Sequence, residues 1–171
     1  EYTNESTAET NKVETSINFV APTGVVTTST ISNYKENAEK ITAISGEGKT
    51  VTVETMSAAR NVKYEMTVIN NYNNTIDGIS ILGRIASKEN TELGSNIEMP
   101  LTSGITVNSK DNSKVEIYYT ENANADKDLS KQANGWTKTP ADLSKVKSYL
   151  IVLKDYQMNT AEAIDFTYEA Q

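Results

Sequence analysis

Apolar residues fall at every second position through the most regular part of this chain, and that spacing restricts what it can become. In NVKYEMTVIN, residues 61–70, Val62, Tyr64, Met66 and Val68 share one face while Lys63, Glu65 and Thr67 share the other. Side chains alternate across a strand but recur every three or four residues along a helix. The pattern therefore predicts a strand with one buried and one wet face, the signature of an antiparallel sheet. The same alternation recurs at Val13, Thr15, Ile17 and Phe19, at Val51 and Val53, at Val115, Ile117 and Tyr119, and at Ile164, Phe166 and Tyr168. Ser148–Leu153 reads as a compact apolar strand.

Between these runs lie clusters of turn residues. Asn71-Tyr72-Asn73-Asn74-Thr75 predicts a hairpin that returns over 76–85, with Ile79, Ile81 and Leu82 buried. Residues 141–146 predict a helical turn, and no long helical stripe is present. Strands separated by regular turn signals predict an all-β fold, an immunoglobulin-like antiparallel β-sandwich with long loops. Residues 1–12 are polar and without period, and read as a flexible linker or terminus. Residues 13–171 read as a single domain, with 13–46 as an N-terminal β extension.

Several function classes lack their parts. The sequence contains no Cys and no His, which removes imidazole bases, thiol nucleophiles and soft zinc or copper sites. The eight Gly are scattered singly, so no glycine-rich phosphate loop exists. No carboxylate pair carries the surroundings of a glycosidase site. The chain is expected not to be an enzyme. A formal charge of -7 repels nucleic-acid backbones, and the uncharged runs are too short to span a bilayer. Neither nucleic-acid binding nor membrane insertion is expected.

Two constellations remain as candidate ligand sites. Asn122, Asn124, Asp126 and Asp128 place oxygens at alternate positions, the arrangement a hard cation such as calcium needs. Asn124, Asp126 and Asp128 are the candidate calcium ligands; against them, no Gly stands at the sixth loop position and no Glu closes the loop, and an Asn/Asp-rich turn accounts for the same residues. Trp136 with Tyr118 and Tyr119 offers aromatic faces with polar handles, suited to stacking on a sugar or a protein. The competing reading makes Trp136 a plug beneath the long loop.

The segments NVKYEMTVINNYNNTIDGISILGRI (61–85) and KVEIYYTENANADKDLSKQANGWTKTPADLSKVKSYLIVL (114–153) resemble the Ig-like repeat domains of Gram-positive cell-wall-anchored surface proteins. The resemblance implies an extracellular stalk or adhesin module, anchored through a region outside this chain, flanked by neighbouring domains and able to meet a host or matrix protein or a glycan. It implies no catalytic residues. A carbohydrate-binding module using Trp136 is the alternative. Such sandwich domains can carry a Lys–Asn isopeptide bond in place of a disulfide, for which Lys63 and Asn159 are the candidates. Alternation turns Lys63 outward, where its amine stays solvated and protonated.

Overall fold

The computed structural model describes residues 24–32, 40–45, 62–91 and 98–171. The linker expected over 1–12 and the strands expected at 13–19 and 49–55 lie outside these residues. The strands are β1 (Val25–Ser32), β2 (Lys40–Ser45), β3 (Val62–Asn70), β4 (Ser80–Arg84), β5 (Thr106–Asn108), β6 (Val115–Thr120), β7 (Ser148–Leu153) and β8 (Ala163–Ala170). Single 3-10 turns cover Asn112–Lys114, Gln132–Asn134 and Leu143–Lys145. The described residues are all-β, in two antiparallel sheets ordered β2-β1-β3-β8-β5 and β4-β7-β6. Among the described residues no helix is long and apolar enough to cross a membrane.

Alternation chose the buried faces as expected. Val62 and Val68 are buried on β3, and Tyr64 and Met66 pack against the same cluster. Ile164, Phe166 and Tyr168 do the same on β8; β7, read as an apolar run, is buried on both faces, and its Tyr149, Ile151 and Leu153 join the cluster. Inner-face residues of both sheets thus form one buried cluster. Full burial of each large apolar side chain stabilises by roughly 1.5–3 kcal/mol. Leu82 departs from expectation and is 37% exposed.

The expected hairpin does not form. β3 pairs with β1 and β8, whereas β4 pairs with β7 in the other sheet. The Asn-rich bend carries the chain across the molecule instead of back alongside itself. Asn70, wholly buried, sets the crossing. Its Nδ2 donates to the carbonyls of Asn74 and Met158, each at 2.9 Å, and its Oδ1 accepts from the Tyr72 N–H at 2.9 Å. Ile76 then exchanges backbone hydrogen bonds with Met158. Periodicity fixes which face is buried but not which strand lies alongside, so alternation alone cannot distinguish a hairpin from a crossing.

One contact ties the sheets at the end marked by Val62 and Ala170. Tyr168 of β8 stacks on Tyr64 of β3, with ring centroids 4.7 Å apart. It also meets Tyr149 of β7 edge-on at 5.6 Å. Tyr149 lies in turn over its cross-strand partner Gly83 of β4. A Cβ at position 83 would be driven into that ring. Gly83→Ala is therefore expected to cost about 1–3 kcal/mol, read as a lower denaturant midpoint. A midpoint equal to that of wild type would refute the close approach.

Burial pushes the Tyr149 hydroxyl up to about 12 and lifts Tyr168 well above its ordinary value. The folded state holds the Tyr149 proton more tightly than the unfolded chain, where the group titrates near 10.0. That contribution is intact below the unfolded value and is lost as pH rises toward the folded one. Alkaline denaturation should remove about 2–3 kcal/mol between roughly pH 10 and 12, and the loss should shrink in Tyr149→Phe. Denaturant titrations across that range provide the measurement.

Candidate functional site

The long connection from β6 to β7 carries most of the residues singled out in the sequence. Its Asn and Asp side chains bond to nearby backbone in a repeated pattern. Asn122 Oδ1 accepts from the Asn124 N–H, Asp126 Oδ1 from Asp128, and Asp128 Oδ1 from Ser130, at 2.9, 3.0 and 2.9 Å. Each is a side-chain turn that satisfies an N–H two residues on. The alternate spacing read as a cation loop is the spacing of these turns.

The three proposed calcium ligands accordingly do not converge. Asn124 is drawn to the segment after β4, where its Oδ1 accepts from the Thr91 N–H and hydroxyl and its Nδ2 donates to the Glu89 carbonyl. Asp126 Oδ2 pairs with Lys131 at 2.6 Å, and Asp128 is held by Ser130. Among the described residues no group of three or more Asp or Glu is placed to hold a metal ion. The oxygens of Asp126 and Asp128 face their own backbone, their neighbouring side chains and a lysine.

Asn134 is the centre of the loop, and the sequence reading passed over it. It is 2% exposed. Its Nδ2 donates to Asp126 Oδ1 at 2.6 Å, to the Asp126 carbonyl at 3.2 Å and to the Asp128 carbonyl at 2.9 Å. Its Oδ1 accepts from the Asp126 N–H, and its carbonyl accepts from the buried Thr120 hydroxyl. Gly135 follows in the left-handed region at φ 64, which suits a residue without Cβ. The Asn134-Gly135 pair, a recognised turn signal, was the clue available in the sequence. Beside it a groove of about 340 Å³ is lined by Asn122, Asn134, Thr137 and Val146 among others.

The aromatic candidates are also separated. Trp136 is half-buried, and its Nε1 donates to the Asp126 carbonyl at 2.9 Å, so it anchors the loop. Tyr119 points into the core, where its hydroxyl accepts from the Ile105 N–H at 2.9 Å. Tyr118, next along the strand, faces the opposite way and donates to Glu116 at 2.7 Å, with Lys138 Nζ 5.2 Å from its ring centroid. Lys138 holds the Glu116 carboxyl below its ordinary value, and Glu116 raises the Tyr118 hydroxyl. Neighbouring strand positions on opposite faces cannot make one stacking platform.

The structure likewise keeps Lys63 and Asn159 apart. Lys63 lies level with Glu169 at one end of β8, and Asn159 precedes the other end, which begins at Ala163. Six strand positions separate Lys63 from Ile69, the partner of Ala163, a distance of about 20 Å. Lys63 pairs instead with Glu65 at 2.9 Å. No isopeptide can bridge that gap without unfolding the sheet.

A second cluster surrounds Asn159 and carried no local signal, because its members are far apart in sequence. Lys110 Nζ donates to Glu162 Oε2 at 2.6 Å and to the Gln157 carbonyl at 2.5 Å, and lies 5.1 Å from the Tyr156 ring centroid. Tyr156 donates to Glu162 Oε1 at 2.6 Å, and the Asn159 N–H donates to Oε2 at 2.9 Å. Burial pushes the Glu162 carboxyl up, but Lys110, Tyr156 and Asn159 outweigh it and hold the group below its ordinary value. The cluster is an ion pair braced by hydrogen bonds, at the edge of a polar groove of about 550 Å³.

The chain matches no protein-family model, no curated protein and no solved structure.

The loop makes a specific acid response testable. Lys131 first, then Asn134 and the Asp128 N–H, draw Asp126 down to about 2 from an ordinary 3.8. A depressed carboxylate stabilises the folded state above its unfolded value and ceases to do so as pH falls through the folded one. Trp136, the sole tryptophan, reports on this loop directly. Its emission should shift red between roughly pH 4 and 2, and Lys131→Ala should move that transition to higher pH. An emission spectrum constant through that range would contradict the assigned lock.

Proposed function

We propose that this chain is a non-catalytic stalk spacer of a bacterial surface protein: an immunoglobulin-like β-sandwich displayed outside the cell and joined to the wall through a region beyond this chain. The carrying observation is how the sheet would meet tension. β1 starts at Val25, level with Asn70, whereas β8 ends at Ala170, level with Val62. The chain therefore enters the five-stranded sheet at one end and leaves it at the other.

A pull between those points runs along the strands. The β1–β3 and β3–β8 ladders, each with eight residue pairs, are then loaded in shear, so the bonds of a ladder resist together. Peeling from one end would break them singly, each worth only about 0.5–1.5 kcal/mol net. The chemistry of the clusters supports the same reading. Their carboxylates are spent on lysines, hydroxyls and backbone N–H groups, which braces loops and leaves no base aimed at a substrate. The carbohydrate-binding alternative has less support, because Tyr119 lies in the core and Trp136 is tied to its own loop.

Because the chain has no Cys, attachment points can be engineered without ambiguity. Force spectroscopy through Asn73→Cys and Gln171→Cys loads the β3–β8 ladder in shear, and Lys63→Cys with Gln171→Cys peels the same ladder. The spacer reading expects a several-fold higher rupture force in the first geometry. Equal forces in the two would remove its support.

A further inference from the structure

We propose that Asn134-Gly135 is a latent self-modification site: a deamidation step that the fold suppresses and that, once taken, opens the 120–136 loop irreversibly. The reaction is internal. The Gly135 backbone nitrogen loses its proton to solvent base and attacks Asn134 Cγ. The new N–Cγ bond closes a five-membered imide, and the Cγ–Nδ2 bond breaks with release of ammonia. Water then opens the ring at either carbonyl to leave aspartate or isoaspartate. An Asn followed by Gly is the most susceptible pairing because no side chain hinders the attacking nitrogen, and this chain contains it once.

The fold withholds both reacting groups. The Gly135 N–H donates to the Gln132 carbonyl at 3.0 Å within a 3-10 turn. The Asn134 amide is buried and gives Nδ2 to three acceptors on Asp126 and Asp128. Ring closure must surrender these bonds together, so it proceeds only from the fraction of molecules in which the loop has opened.

The product cannot restore the lock. An oxygen in place of Nδ2 would face Asp126 Oδ1, now 2.6 Å away, and two backbone carbonyls. Three contacts now served by the two Nδ2 hydrogens become three acceptor–acceptor contacts, one between two carboxylates. Asp126 would then lose its tie to Asn134, and with it the footing of Trp136, which rests on the Asp126 carbonyl.

The test compares this chain at mildly alkaline pH in buffer and in guanidinium, with peptide mass spectrometry following the loss of the Asn134 amide. Conversion in the folded protein should be at least about tenfold slower than in the denatured one. Equal rates would overturn the proposal. Asp126→Ala, checked as folded by circular dichroism, should convert faster than wild type, and an unchanged rate would deny the loop its protective role. Asn134→Asp should show red-shifted Trp136 emission at neutral pH, and a wild-type spectrum would refute the opening step.

Discussion

The two sheets are held in register by aromatic contacts centred on Tyr168, and most of the architecture follows from them. The chain has no cysteine with which to pin one sheet to the other. Tyr168 instead stacks on Tyr64 within its own sheet and meets Tyr149 across the core, and Tyr149 closes over Gly83 on the edge strand. A continuous line of contact therefore runs from β3 through β8 and β7 to β4. The pair that crosses between the sheets, Tyr149–Tyr168, adds about 0.5–1.5 kcal/mol beyond its buried area, less than the ~2–4 kcal/mol of a disulfide. The device works only if Gly83 stays small and the hydroxyls stay protonated.

Two buried amides organise what the apolar contacts do not reach. Asn70 satisfies a bend that crosses between sheets, and Asn134 gathers a loop that leaves one strand and returns to the next. Both give the amide nitrogen to backbone carbonyls of the segments they hold together. A buried polar atom is costly unless it is bonded, so each of these side chains fixes a single path for its loop. The acidic, Asn-rich composition is in part the material of these loops.

The faces of β3, β6 and β8 could be read from alternation alone, because burial acts on each strand independently of its partner, whereas β7, buried on both faces, read only as an apolar run. The pairing of strands was not legible. Whether the turn after Asn70 returns or crosses depends on Met158, some ninety residues away, which no local pattern encodes. The same limit explains the loop. Asn124, Asp126 and Asp128 were conspicuous by spacing, yet that spacing arises equally from side-chain turns. Asn134 stood alone in sequence and acquired its importance from carbonyls eight and six residues upstream. Lys110 and Glu162 meet only because β5 and the start of β8 are neighbours.

The position of β8 has a consequence for how the chain acquires its structure. The last strand in sequence lies between β3 and β5, inside the larger sheet, with Met66 opposite Phe166. Closing that pair orders a segment of about a hundred residues before any bond of the ladder rewards it, the condition under which folding is slow. A chain delivered from its N-terminal end cannot complete the sheet until residues 163–170 arrive. It then closes in one late step, when a single strand docks between two that have been waiting.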